Sequence, residues 1–226
     1  MDALIGGLIL IAIIFALAKK TKRQRKSKGK QRQGQSKAEY KGQVGEKRVN
    51  QILSTLSKES YKMYSDLYVT HDNGKITQID HVVVSPYGIF VIETKNYSGW
   101  IFGNVKNRNW TQVIGKAKHA FFNPLRQNYG HIQALQNQLG IGADKFHSII
   151  AFDDKCTLKN DELHKIEEVV KFSDLKNKLL SKTEMILSAQ EVSDVQAKID
   201  WLIATTNKKE SANQHLQQLQ REHQSV

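Results

Sequence analysis

Cysteine is almost absent: Cys156 is the only one in 226 residues. This excludes an internal disulfide and a cysteine-based zinc site, and suits a reducing compartment. The eight histidines show no H-E-x-x-H or comparable ligand spacing, so no histidine zinc site is indicated. No G-x-x-x-x-G-K-[ST] loop occurs, and Gly140-Ile141-Gly142 runs on to Lys145 where a dinucleotide loop needs a third glycine. Neither a nucleoside triphosphate nor NAD is therefore implied. Acidic residues are missing from residues 19–37, which carry ten Lys or Arg. That run holds most of the net charge of +12, leaving +3 for residues 38–226. The basicity belongs to a segment, and global charge is weak evidence that a folded part binds nucleic acid.

Residues 3–18, ALIGGLILIAIIFALA, are uncharged and almost wholly apolar, slightly short of the ~20 that span a bilayer core. Met1 and snorkelling Lys19 and Lys20 supply the remainder. A cleaved signal peptide is the rival reading, since Ala16-Leu17-Ala18 imitates a cleavage site. Charge order opposes it, because Asp2 precedes the apolar stretch and the basic run follows. We read residues 1–18 as a single transmembrane anchor, the remainder cytoplasmic by the positive-inside rule. Residues 19–41 contain no aliphatic side chain larger than alanine and read as a solvated basic linker. It sets topology, and residues 19–37 also suit anionic lipid headgroups, at about 1 kcal/mol per basic residue near the surface, or non-specific contact with nucleic acid.

From Gly45 the pattern turns helical, with Val49, Ile52, Leu53 and Leu56 at i, i+3, i+4 and i+7. Strands are expected at about 61–69, 77–85 and 88–95, separated by His71-Asp72-Asn73-Gly74 and Ser85-Pro86-Tyr87-Gly88, both turn-forming. A short hairpin follows at Trp100–Gly103 and Trp110–Ile114. Asn123-Pro124 caps a helix that stops at Gly140. Further strands are expected at 146–152 and near 169–172, with helices near 173–181 and 189–205 and a frayed helix or disordered tail at 207–226. The fold class is α/β, a mixed central sheet with a β-meander flanked by helices.

Two nearly continuous apolar strands, I-D-H-V-V-V and I-F-V-I-E-T-K, are interrupted only by Asp80, His81, Glu93, Thr94 and Lys95. Charges inside buried strands need a reason. Alternation places Glu93 and Lys95 on one face and His81 opposite Asp80. A symmetrical closure about Pro86-Tyr87 sets Asp80 directly opposite Glu93. A glycine bulge at Gly88 shifts the register by one and puts them on opposite faces; apolarity on both faces leaves the two registers open. In the first register the facing carboxylates, with Cβ atoms about 5 Å apart, repel unless a cation lies between them. Mg²⁺ or Mn²⁺ suits such oxygen ligands, and Lys95 on the same face can stabilise charge growing on a phosphate. The plainer reading is an i, i+2 ion pair between Glu93 and Lys95, with Asp80 accepting turn hydrogen bonds. Trp100, Phe102 and Trp110 read as hairpin core, with stacking on nucleic acid beside Lys106 and Arg108 as the alternative.

G-E-K-R-V at 45–49, I-D-H-V-V-V-S at 79–85, G-I-F-V-I-E-T-K-N-Y-S-G at 88–99 and N-P-L-R-Q-N at 123–128 together resemble the nuclease-related domain. That family looks like a branch of the PD-(D/E)XK nuclease superfamily, so the resemblance implies a restriction-endonuclease-like fold and metal-dependent hydrolysis of DNA or RNA. It implies further that Asp80, Glu93 and Lys95 fill the Asp and Glu-x-Lys positions, Asp80 and Glu93 as metal ligands, with Glu46 and Gln127 as accessory residues. On a helical wheel Glu46 falls at the margin of the apolar stripe, where it either reaches a metal edge or is a solvated first-turn Glu. Gln127 lies off the stripe of Leu125, Tyr129, Ile132, Leu135 and Leu139, so its place rests on the resemblance. The resulting organisation is an anchor at 1–18, a linker at 19–41, the nuclease-related core at 42–155, a helical extension of the same domain at 156–206, and a polar tail at 207–226. The localisation that follows is the cell membrane, single-pass.

Overall fold

Turn chemistry in the first half of the chain makes a meander. In the computed structural model, which describes residues 37–224 apart from Asn160, β1 (Lys62–Thr70), β2 (Ile76–Ser85) and β3 (Gly88–Lys95) pair antiparallel in sequence. β7 (Phe146–Phe152) and β9 (Val169–Lys171) then add in parallel beside β3, giving a mixed sheet of order β1-β2-β3-β7-β9. A second sheet, β6-β5-β4-β8, is built from β4 (Gly99–Phe102), β5 (Asn109–Ile114), β6 (Ala117–Phe122) and β8 (Cys156–Leu158). The helices are α1 (Lys37–Leu53), α2 (Pro124–Leu139), α3 (Asp161–Lys165), α4 (Phe172–Leu180), α5 (Ala189–Thr205) and α6 (Lys208–Gln224).

Each face of the first sheet carries its own core. Val82, Val84, Ile89 and Val91 pack with Leu135 and Leu139 of α2 and Val195 and Ile199 of α5. Val83, Phe90 and Ile92 pack on the other side with Val49 and Leu53 of α1 and Leu175 and Leu179 of α4. The apolar character on both faces of β2 and β3 is thus explained by helices on both. A third cluster joins Ile101 and Trp110 of the second sheet to Ile150 and Phe152 of β7.

α2 begins and ends where its sequence chemistry requires. The Asn123 side chain accepts from Leu125 N–H at 3.0 Å, Pro124 opens the helix, and Gly140 closes it at φ 63°, a left-handed conformation that glycine adopts freely. Four elements, α1, β6, β8 and α3, depart from expectation. α1 starts at Lys37, ahead of Gly45. β6 follows a two-residue turn in which Gly115 takes φ 58°, a hairpin signal carried by one glycine. β8 and α3 form in the 153–168 stretch, where no element was expected. The polar stretch 208–224 is helical, held by contacts that hydrophobic patterning does not register: Lys208 pairs with Asp66 at 2.6 Å, and His215 Nδ1 and Gln218 Oε1 meet the Ile76 carbonyl and N–H at 2.8 and 3.1 Å.

Gly42–Val226 form one compact unit; of the separate unit Met1–Lys41, only residues 37–41 are described. The apolar segment 3–18 and nearly all of the basic segment 19–37 lie outside the described residues. Among the described residues no helix is long and apolar enough to cross a membrane.

Candidate active site

The register of β2 and β3 is the symmetrical one: His81 faces Ile92, Val82 faces Val91 and Ser85 faces Gly88. Extending it by one residue sets Asp80 against Glu93. There the regular ladder stops, and the Asp80 carboxylate takes over as acceptor, with Oδ2 2.8 Å from the Thr94 N–H. The β1–β2 ladder is interrupted at the same level. It pairs Ser65 with His81 and resumes at Leu67 with Ile79, leaving Asp66 and Asp80 unpaired, Asp66 at φ 55°. Tyr64 and Leu67, like Ile79 and Val82, all enter the core beneath α2, so one residue in each strand is spent on changing faces. Two aspartates occupy that kink.

On the α2 side, Lys95 Nζ donates to Glu93 Oε1 at 2.7 Å and to Gln127 Oε1 at 3.0 Å. The second Glu93 oxygen lies 3.1 Å from His131 Nε2, and His131 Nδ1 lies 2.8 Å from Thr77 Oγ1. A carboxylate only accepts, so His131 donates to Glu93 through Nε2–H. Asn128, one residue after Gln127, donates to the Val91 carbonyl and Ser148 Oγ at 2.9 and 2.8 Å. The ion pair expected of Glu93 and Lys95 forms, and it forms inside a larger cluster.

α2 corrects one expectation. Tyr129, placed on the buried stripe, is 64% exposed, and the buried side is Asn128, His131, Ile132, Leu135 and Leu139. Apolarity misplaced the stripe because the sheet opposite its first half presents Glu93, Lys95 and Ser148, to which polar side chains are complementary. Gln127 therefore lies beside Lys95 although it is off the apolar stripe. His131 was not anticipated; the available signal is its i+4 spacing from Gln127, which places both on one helical face.

The electrostatics follow from burial of like charges. Burial alone would raise the Glu93 carboxyl, but the Lys95 charge and then the His131 hydrogen bond bring it down to about 2. Asp80 is held well above the usual carboxylate range by burial and then by Glu93, against the opposing Thr94 N–H. For Lys95, burial is overridden by Glu93, and the ammonium is raised. Glu46, half-buried on α1, is raised by burial, then by Asp66 and Glu93, with Lys208 opposing. The charge of Glu46 is thus part of the same field, rather than that of a solvated first-turn acid. Gly45 lets α1 approach: a Cβ there would sit 2.5 Å from Asn96 Cβ, just beyond the end of β3.

Among the described residues no group of three or more His, Cys, Asp and Glu side chains is gathered as a metal site. Asp80 and Glu93 are set against each other in the register, and a hard divalent ion would need only one or two such carboxylates with water and phosphate oxygens. The Asp80 carboxyl is raised first by burial and then by Glu93, and a cation between the pair would oppose both.

His81 lies on the opposite face, as alternation requires. It is fully buried, with Nδ1 3.3 Å from Thr94 Oγ1, and burial presses its ring down to about 4. An unfolded histidine titrates near 6.5, so this neutral ring supports the fold fully above about pH 6.5, and its contribution drains away as pH falls toward 4. The loss across that window is about 3 kcal/mol at 1.36 kcal/mol per unit. Chemical denaturation at stepped pH should show this slope in the parent and a flatter one in His81→Gln; equal slopes would contradict the assignment.

A mixed sheet flanked by helices, with Asp80 within β2 and Glu93 and Lys95 at the end of β3, defines an α/β domain. The chain belongs to the nuclease-related domain family, whose model matches residues 41–153. A Bacillus anthracis protein described as uncharacterized is 40% identical over 157 residues, 69% of this chain and 74% of the relative. No solved structure matches the chain.

Proposed function

We propose that this chain is a metal-dependent nuclease hydrolysing phosphodiesters of DNA, or of RNA, and that residues 3–18 tether it as a single-pass protein to the cell membrane with the domain on the cytoplasmic side. The observation that carries the catalytic reading is the Lys95 ammonium, bonded to both Glu93 and Gln127, with Asp80 set against Glu93 in the β2–β3 register. Asp80 and Glu93 would hold Mg²⁺ or Mn²⁺, which when bound polarises the phosphate and lowers the pKa of water. Lys95 presents positive charge to the phosphoryl oxygens, Gln127 orients Lys95, and His131 holds Glu93. Glu46 adds negative charge at the margin of the cluster. The membrane tether rests on the apolar run and its flanking charges, and the basic segment 19–37 would lie against anionic lipid.

One observation favours a second reading, a tethered module that holds nucleic acid or a protein partner without cutting. Both Glu93 oxygens already have partners, Lys95 and His131. Incubating the full chain with supercoiled plasmid and single-stranded substrates in Mg²⁺ or Mn²⁺ separates the two. Cutting is expected from the parent and is expected to fall to background in Glu93→Gln and Lys95→Ala. Equal cutting by all three would end the site assignment, and binding without cutting would establish the module.

A further inference from the structure

The segment between Lys95 at the end of β3 and Gln127 in α2 supplies three strands of the second sheet, and the two faces of that sheet differ in kind. Ile101, Trp110, Cys156 and Leu158 are buried on one. On the other, Trp100 faces Val113 and Thr157, Val113 faces Lys118, Phe102 faces Thr111, and Asn109 faces Phe122. Facing residues share a side and alternate residues return to it, so Trp100, Phe102 and Phe122 lie on one surface. They are 49%, 38% and 46% exposed, and a shared exposed apolar surface of this kind marks an interaction site.

Charge specifies the partner. From Thr94 through Ala143 there is no Asp or Glu, while Lys106, Arg108, Lys116 and Lys118 stand exposed on or beside the hairpin. Lys159 reaches over the Trp100 ring, with Nζ 4.4 Å from its centroid. Among the described residues none of these five cations forms an ion pair with an acid. A near-neutral domain total conceals this segregation.

We propose that this outer sheet face binds single-stranded nucleic acid, bases stacking on Trp100, Phe102 and Phe122 while phosphates meet Lys106, Arg108, Lys118 and Lys159. Its ligand class rests on the phosphodiesterase reading. Aromatic rings within a basic field are how sequence-tolerant single-strand binders work, since every base has a flat face once it is unstacked. A duplex offers no such faces. A second copy seated isologously would bring two sets of these cations together, with no acid on the hairpin to meet them. An anionic membrane would also attract Lys and Trp. Nucleic acid is favoured because the chain that forms this face runs directly from Lys95 to Gln127, so a strand bound on it is held by the segment that joins the two halves of the cluster.

The test titrates the full chain with labelled oligo(dT) and oligo(U) in EDTA, where no cutting occurs, beside phosphatidylserine vesicles and a sedimentation series. Trp100→Ala and Phe122→Ala are each expected to weaken oligonucleotide binding about fivefold or more, with Trp100→Phe retaining most of it. Because both side chains are exposed, unchanged unfolding curves are expected to accompany the loss. Oligonucleotide affinity indifferent to both substitutions overturns the proposal. So does a loss confined to vesicle binding, which assigns the face to lipid, or to self-association, which assigns it to a second copy. A parent that cuts nothing but binds oligo(dT) through Trp100 would refute the nuclease reading and leave this one standing. A parent that cuts, with binding independent of Trp100, would do the reverse.

Discussion

Lys95→Met is expected to lower the unfolding free energy by about 3–5 kcal/mol, whereas Asp80→Asn, at a site facing the same cluster, is expected to raise it by about 0.5–2 kcal/mol. The opposite signs follow from what each residue does for Glu93. The Glu93 side chain is 3% exposed and that of Lys95 is 13% exposed, so removing the ammonium leaves a buried carboxylate beside a second one, with only the His131 hydrogen bond to offset it. Breaking a buried pair from one side carries this penalty, and removing both partners largely avoids it. The Glu93→Gln/Lys95→Met double variant should therefore recover most of the loss. Asp80 is the converse case. Its folded carboxyl is raised by burial and by Glu93, so its ionised form is disfavoured in the fold. Stability falls as pH rises through the carboxylate range and remains diminished at neutrality. Asparagine removes the charge and keeps an oxygen for the Thr94 N–H. Urea unfolding of the full chain at pH 7 in EDTA measures both, and a Lys95→Met variant as stable as the parent would sink the account. A residue whose removal strengthens the fold is retained for another purpose, as expected of a functional site.

Trp110→Ala should cost about 3–5 kcal/mol and loosen the second sheet selectively. Trp110 is fully buried, stacked on Phe152 with centroids 6.1 Å apart and planes 3° from parallel, and set edge-on to Phe121. Its indole N–H donates to the Asn104 carbonyl at 2.9 Å, which also accepts from Asn123 Nδ2 at 3.2 Å, so truncation leaves a cavity and removes one of that carbonyl's two donors. A Cβ on Gly103 would lie 2.3 Å from the indole, so the neighbouring backbone is already as close as it can come. Phe152 ends β7, where the next residue, Asp153, donates its N–H to the Lys95 carbonyl at 3.0 Å, and the disturbance should reach the site through that link. Hydrogen exchange should rise across residues 99–122 and at Lys95–Asn96, with β1 and β2 unchanged. A loss below about 1 kcal/mol, or exchange rising uniformly over the chain, would show that the second sheet does not depend on this cluster.

Much of this was legible before any coordinates. The Pro86-Tyr87 turn, the Asn123 cap and the Gly140 stop each depend on side chains within a few residues of the backbone they organise, and each formed where expected. So did the conjunction of Asp80, Glu93 and Lys95 on neighbouring strands. The register between those strands was not legible, since valine and isoleucine on both faces satisfy either pairing. Nor was the role of the first half of α2. A polar helix face reads as solvent-facing until it is known that Glu93 and Ser148 lie across from it.

The aromatics show the same division. Trp100 and Trp110 have similar sequence surroundings, yet one is half exposed under Lys159 and the other is sealed against Phe152. By itself the sequence determined the turns, the caps and the residue types that can carry phosphodiester chemistry, because those depend on near neighbours along the chain. Only the tertiary structure decided which of those residues meet: Asp80 against Glu93, Gln127 against Lys95, His131 against Glu93, and an aromatic face turned outward. Each of these depends on partners 13 to 57 residues away, whose positions no local pattern encodes.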